Sequence, residues 1–365
     1  MDARAALEGE LLAWMQGEPD LHDEARFERL ALALFAVQFE RNAAYGRFCA
    51  ARARTPATVT SWREIPAVPT GAFKELALRC FPAERSVKTF RTSGTALAKR
   101  GELFLDTLAL YEASLVPSFE AGVLPDLAPE GRLPCLVLAP SPDEAPDSSL
   151  SHMFGVVLAR RGTAGSAYFV RDGRLDVAAL LEALESAQEA PRLLLCGTTF
   201  AFVHLLEALE QRGRRFALPA GARVLETGGF KGRTRSLGRE ELHAWIHERL
   251  GVPPARCVNQ YGMTELGSQF YDSVLREPEA PRRKLAPPWT RVSVVDPASG
   301  RALPPGEVGA LRIVDLANTG SVLAIATADL GVLGTDGGFE VLGREAGAEA
   351  RGCSLAADEM LGANA

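Results

Sequence analysis

Three stretches of the 365-residue sequence carry side chains suited to one joint chemistry, and they follow one another in order. The first is Thr92-Ser93-Gly94-Thr95, with Lys99-Arg100 after a small-residue spacer. Small residues let a backbone approach phosphates closely, and hydroxyl and N–H groups bind their oxygens. The second runs from Asn259 to Gly267 and contains Tyr261-Gly262-Met263-Thr264-Glu265. Tyr261 offers an aromatic face for a nucleobase, Thr264 a hydroxyl for phosphate, and Glu265 a hard oxygen ligand for Mg²⁺. The third is Thr327-Ala328-Asp329-Leu330-Gly331, whose Asp329 carboxylate can accept both hydroxyls of a ribose. Taken singly, each stretch also reads as a turn or a polar surface. The ordered set supplies contacts for phosphate, base, metal and sugar.

Further residues fit around these. Glu226-Thr227-Gly228-Gly229-Phe230-Lys231 follows an apolar run, where active-site loops gather at the carboxyl ends of parallel strands. Gly228 and Gly229 would let the backbone pass close to a flat base; a tight turn with an exposed lysine is the other reading. Lysine is scarce: only Lys74, Lys88, Lys99, Lys231 and Lys284 occur, so a lysine-dependent step has few candidates. His243 and His247 share a helix face without the glutamate of a zinc protease, which favours a solvated face. Ser148 to His152 lacks a nucleophile elbow and reads as a helix start. Phe200 and Phe202 flank a buried strand and read as core, with an acyl pocket as the alternative.

The elements that must position these groups follow from the apolar pattern. Phe27, Leu30, Leu34 and Val37 recur at helical spacing, widened by Phe35 and Phe39, and make the N-terminal region (residues 1–65) helical. Residues 62–69 form a proline-marked connector. In residues 66–286, apolar runs at 136–139, 167–170, 193–196, 224–227 and 257–260 read as buried strands. Helical patterns at 177–187 and 202–211 alternate with them, which predicts an α/β fold with a largely parallel sheet. Residues 287–342 hold short strands at 292–295, 310–314, 322–326 and 339–342 between Gly/Pro/Asp turns, a small β subdomain. Residues 343–365 form a hinge and C-terminal tail.

Bulk composition limits the function classes. The chain is 47% hydrophobic and 24% charged, the balance of a globular protein. A net charge of −6 argues against nonspecific nucleic-acid binding or docking on an anionic membrane. The N-terminus lacks a signal-peptide layout, and the longest apolar stretch, Leu30 to Phe39, is far short of a bilayer span. Six cysteines without paired spacing suit a reducing cytoplasm.

The ordered motifs resemble the adenylate-forming superfamily, which joins a carboxylic acid to AMP and passes the acyl group to a thiol. Within it, Thr227-Gly228-Gly229-Phe230-Lys231, Asn259 to Glu265 and Arg351-Gly352-Cys353-Ser354-Leu355 look like the LuxE-type acyl-protein synthetases, from about Pro66 to Leu361. That resemblance implies ATP and Mg²⁺ as cofactors and a fatty or other hydrophobic carboxylic acid as substrate. It implies nucleotide contacts at Thr92, Ser93, Gly94, Thr95, Lys99, Gly228, Gly229, Tyr261, Gly262, Thr264, Asp329 and Arg344, with Glu265 on the metal. It makes Cys353 the acyl acceptor and an acyl-CoA reductase of the LuxC type a partner. There are departures: Ala96-Leu97-Ala98 stands where a further Thr-Gly is usual, and Ala328 replaces a glycine. The large C-terminal domain that carries the superfamily's catalytic lysine is expected to be missing, since no lysine follows Lys284. Lys231 is the expected replacement. Two alternatives are an acyl-CoA ligase of the phenylacetate–CoA ligase kind and a non-catalytic nucleotide-binding subunit.

Overall fold

A computed structural model describes residues 2–17, 23–93, 99–228, 238–344 and 360. The chain forms two compact units, one from Met1–Pro117, Gly262–Phe270 and Lys284–Ala365, the other from Ser118–Tyr261 and Tyr271–Arg283.

The second unit is built on a parallel sheet. Strands Ala167–Tyr168, Cys135–Leu138, Arg192–Thr198, Gly221–Thr227 and Cys257–Tyr261 lie side by side in that order, every pairing parallel. Leu193, Leu194, Leu195 and Cys196 are all fully buried, because a strand covered on both faces needs a continuous rather than alternating apolar run. Gly197 permits the close pairing, since a methyl there would meet the Leu138 carbonyl oxygen at 2.6 Å. Helices Ser149–Arg161, Val177–Ala187, Thr199–Gln211 and Arg239–Leu250 connect the strands. Ser148, Asp176 and Thr198 cap the first three by accepting a backbone N–H. The Thr198 cap explains why the third helix begins three residues before the apolar pattern at Phe202 becomes visible. Phe202, Leu205, Leu206 and Leu209 pack with Leu193, Leu195, Val224, Leu242 and Ile246 into one core. Each such side chain contributes roughly 2 kcal/mol.

The first unit is different in kind. Helices Ala3–Gln16, Glu24–Arg41 and Ala43–Ala50 precede a sheet in which Thr290–Val295, Val308–Asp315, Ala324–Leu333 and Phe339–Arg344 pair antiparallel in sequence order. The expected strand at 322–326 is thus longer and later, and carries Asp329 in its middle. The last strand runs through Arg344 rather than ending at Leu342. The proline-marked connector includes a short strand, Val68–Pro69, parallel to Ala324–Leu333. Phe27, Leu30, Leu34, Phe35 and Val37 are buried as their spacing predicts. Gln38 interrupts that stripe: its amide donates to the Asn318 carbonyl and accepts from the Leu323 N–H, clamping the helix to the 316–323 turn. Arg4 makes a two-bond pair with Asp106. Met360 is buried, and its carbonyl accepts from Arg47. Among the described residues, no helix is long and apolar enough to cross a membrane.

Candidate functional site

In the second unit the candidates sit at the carboxyl ends of the parallel strands. Gly228 directly follows strand Gly221–Thr227 with φ at +92°, a conformation that favours glycine. Among the described residues, a methyl added there would meet nothing within 4 Å. Tyr261 ends strand Cys257–Tyr261 and is half-buried. Beneath them lies a buried polar cluster whose coming together no local stretch of sequence announces. The Glu226 carboxylate accepts from Thr199 Oγ1 at 2.7 Å and Asn259 Nδ2 at 2.7 Å, and lies 3.4 Å from His243 Nε2. Thr199 also reaches the carbonyls of Thr227 and Gly228, and the Asn259 N–H donates to Asp272. The cluster therefore ties strands Gly221–Thr227 and Cys257–Tyr261 to helices Thr199–Gln211 and Arg239–Leu250 just before Gly228. This corrects the expectation for His243: it is buried against Glu226, while His247 is exposed. Phe202 is core and Phe200 is half exposed, edge-on to His204.

In the first unit the hydroxyl loop and the acidic residue come together. Strands Lys88–Arg91 and Glu102–Leu105 form a hairpin, and Thr92 continues the pairing. Its N–H donates to the Gly101 carbonyl at 2.9 Å, and its hydroxyl accepts the Gly101 N–H at 2.8 Å. Ser93 is exposed, and Lys99 is exposed and paired with Glu75 at 2.6 Å. Thr264 and Glu265 are buried and Gly262 is exposed. A methyl on Gly101 would come within 3.1 Å of Thr92 Cγ2 and 3.4 Å of Glu265 Oε1. The carboxylate thus lies beside the base of the Thr92–Arg100 loop, brought there from far along the chain. Behind it, Asn318 Nδ2 donates to the Glu265 carbonyl, and Asp315 accepts from Gly267 N–H and Ser268 Oγ. Neither Asn318 nor Asp315 had a sequence signal.

Asp329 and Arg344 also meet. They are register partners on adjacent strands, and Arg344 Nε donates to Asp329 Oδ1 at 3.1 Å. Asp329 is buried, whereas half of the Arg344 side chain remains exposed.

Gly94, Thr95, Gly229, Lys231 and Cys353 lie outside the described residues. The five described cysteines bear on Cys353 nonetheless. Cys49, Cys80, Cys135, Cys196 and Cys257 are free and buried. Burial pushes the Cys49, Cys80, Cys135 and Cys257 thiols up to about 12 and Cys196 well above its ordinary value. None of these five supplies a thiolate near neutral pH.

Donor chemistry fits Mg²⁺ when phosphate shares the site. Among the described residues, no group of three or more His, Cys, Asp or Glu could hold a metal ion by itself. Glu265, with the Thr92 and Thr264 hydroxyls in the same unit, offers the small set of hard oxygens that Mg²⁺ takes alongside substrate phosphates.

This scaffold is the α/β fold of adenylate-forming enzymes. A 2-hydroxyisobutyryl-CoA ligase, solved in an open conformation with 2-HIB-AMP and CoA, superposes with a TM-score of 0.65 at 16% identity, covering 90% of this chain and 75% of that one. ATP-bound MatB from Rhodopseudomonas palustris matches at a TM-score of 0.49 and 18% identity over 79% of this chain, which spans about half (52%) of MatB. The acyl-protein synthetase (LuxE) family model matches residues 8–362, and the chain belongs to that family. It is accordingly a ligase. A long-chain-fatty-acid–luciferin-component ligase of Aliivibrio fischeri is 21% identical over 310 residues, covering 84% of this chain and 79% of the relative.

Proposed function

We propose that this protein uses ATP to activate a fatty or other hydrophobic carboxylic acid, then carries the acyl group on Cys353 for delivery to a partner such as a LuxC-type acyl-CoA reductase. In the first step a carboxylate oxygen attacks the α-phosphorus of ATP. The bond from that phosphorus to the bridging oxygen breaks, and pyrophosphate leaves with the electron pair. In the second, the Cys353 thiolate attacks the acyl carbon and AMP departs, leaving a thioester.

Each residue has one task in this scheme. Tyr261 stacks on adenine and Gly228, with Gly229, admits it. Thr92, Ser93, Gly94, Thr95 and Thr264 bind phosphate oxygens, and Asp329, steadied by Arg344, binds the ribose. Glu265 would hold Mg²⁺, which supplies neutralising charge to the departing pyrophosphate. Lys231 is assigned to the attacking carboxylate and α-phosphate; Lys99, held by Glu75, is the competitor. The fatty-acid class draws its support from the family and from the A. fischeri relative's name. Cys353 draws its support from the five other thiols, which burial keeps protonated.

The observation that carries the reading is the placement of the Glu265 carboxylate against Gly101, at the closed base of the hydroxyl loop. Replacing it with Glu265→Ala should lower acid-dependent ATP–pyrophosphate exchange at least about a hundredfold, roughly 2.7 kcal/mol. A folded variant with unchanged exchange would remove Glu265 from the site. The fold's likeness to a CoA ligase favours a second reading, in which CoA accepts the acyl group. Acyl-CoA formation at a rate exceeding protein acylation would select it.

A further inference from the structure

We propose that Asp315 and Asn318, on the turn leaving strand Val308–Asp315, are positioning residues that hold the Glu265 carboxylate in place for the metal. The inference rests on the reading of Glu265 given above. Three hydrogen bonds tie Asp315 and Asn318 to the segment from Glu265 to Ser268. Asn318 Nδ2 donates to the Glu265 carbonyl at 2.9 Å and to the Val322 carbonyl at 2.9 Å, so one amide bridges both sides of the turn. Asp315 Oδ2 accepts the Gly267 N–H at 2.9 Å, and its Oδ1 accepts the Ser268 hydroxyl at 2.8 Å. The Ala317 N–H donates to Oδ1 at 3.0 Å, which fixes the carboxylate to its own turn.

Proton bookkeeping gives this network a direction. Ser268 spends its single hydroxyl proton on Asp315, so the Ser114 hydroxyl, 2.8 Å away, must donate to Ser268. Ser114 in turn accepts from Trp289 Nε1 at 2.7 Å. The relay Trp289 to Ser114 to Ser268 to Asp315 is fully buried. It ends on an acceptor-only group, so every hydroxyl has one orientation. Gly267 is locked as well, because a methyl there would meet Ala317 at 3.0 Å. Glu265 is two residues from this anchor on one side and is held by its own carbonyl on the other. The backbone from which the Glu265 side chain projects is therefore held on both sides. Supporting groups of this kind typically change metal affinity or activity by about 10–100-fold when removed.

Two readouts besides turnover test the inference. Calorimetric ATP titrations at stepped Mg²⁺ should show Asp315→Asn and Asn318→Ala needing about tenfold more Mg²⁺ for the same ATP affinity. Amide hydrogen exchange should show protection lost at Leu266 and Gly267 in both. Ser268→Ala, which removes one donor to Asp315 and keeps the backbone bonds, should shift the Mg²⁺ requirement in the same direction by a smaller factor, and carries the test if Asp315→Asn does not fold. An unchanged Mg²⁺ requirement in all folded variants, while Glu265→Gln shifts it, overturns the positioning role alone. No shift with Glu265→Gln overturns the metal reading, and the positioning role falls with it.

Discussion

Glu226 and Asp315 are both buried carboxylates standing behind candidate nucleotide-binding segments, one in each unit, yet they are held by different kinds of partner. Glu226 is gripped by side chains from three separate elements: Thr199, Asn259 and the His243 ring. Asp315 is held by the Gly267 and Ala317 N–H groups and by Ser268. The first arrangement exists only once the parallel sheet and its helix have assembled, so Glu226 serves as a test of tertiary register. The second shapes a stretch of backbone directly. Among the described residues, the donors to Asp315 are neutral, and burial pushes its carboxyl up to about 6 although Ser268 and the backbone N–H groups pull it down.

Breaking the side-chain cluster should have the largest effect on stability. Glu226→Ala leaves the Thr199, Asn259 and His243 donors without their acceptor in the interior. At roughly 1–3 kcal/mol per stranded group, the loss should be about 4 kcal/mol in denaturant unfolding. Glu226→Gln, which keeps one oxygen, should cost about half of that. A loss below about 1 kcal/mol for the alanine variant would mean the cluster is not a register device.

Asp315 should reveal itself through pH instead. A carboxyl whose folded value of about 6 exceeds its unfolded value near 3.8 binds its proton more tightly when folded. Wild-type stability relative to Asp315→Asn should therefore fall as pH rises from about 4 to 6, by on the order of 3 kcal/mol, and level off above. A flat difference across that window would remove the titration of Asp315 from the account.

Asp329 and Arg344 contrast in exposure: buried Asp329 accepts a hydrogen bond from half-exposed Arg344. Asp329→Ala should lower ATP–pyrophosphate exchange about a hundredfold, roughly 2.7 kcal/mol. Arg344→Ala should lower it only about tenfold, because the solvated guanidinium acts mainly by steadying Asp329. Equal effects would make Arg344 a direct nucleotide contact.

The parallel sheet was legible because strands covered on both faces leave continuous apolar runs such as Leu193 to Cys196, and helix Val177–Ala187 showed its period without distortion. Strand Ala324–Leu333 was harder: polar Thr327 and Asp329 inside it read as the end of a strand, while pairing with both neighbours carries the backbone through. At the candidate site, residue types and order pointed to Glu265 and Asp329. The meeting of Glu265 with Gly101, and of Glu226 with His243, depends on contacts between distant stretches. His243 has the same spacing on its helix whether it faces solvent or a buried carboxylate, so periodicity could not tell the two apart.

The account's central claim is that an acyl-adenylate made by this chain is captured by Cys353. Incubating the protein with a radiolabelled long-chain acid, ATP and Mg²⁺ should leave label that survives denaturation and is released by neutral hydroxylamine. Cys353→Ser should lose that label and retain acid-dependent pyrophosphate exchange. A Cys353→Ser protein that still forms the hydroxylamine-labile adduct, or a wild type that forms none while exchanging pyrophosphate, would contradict the claim.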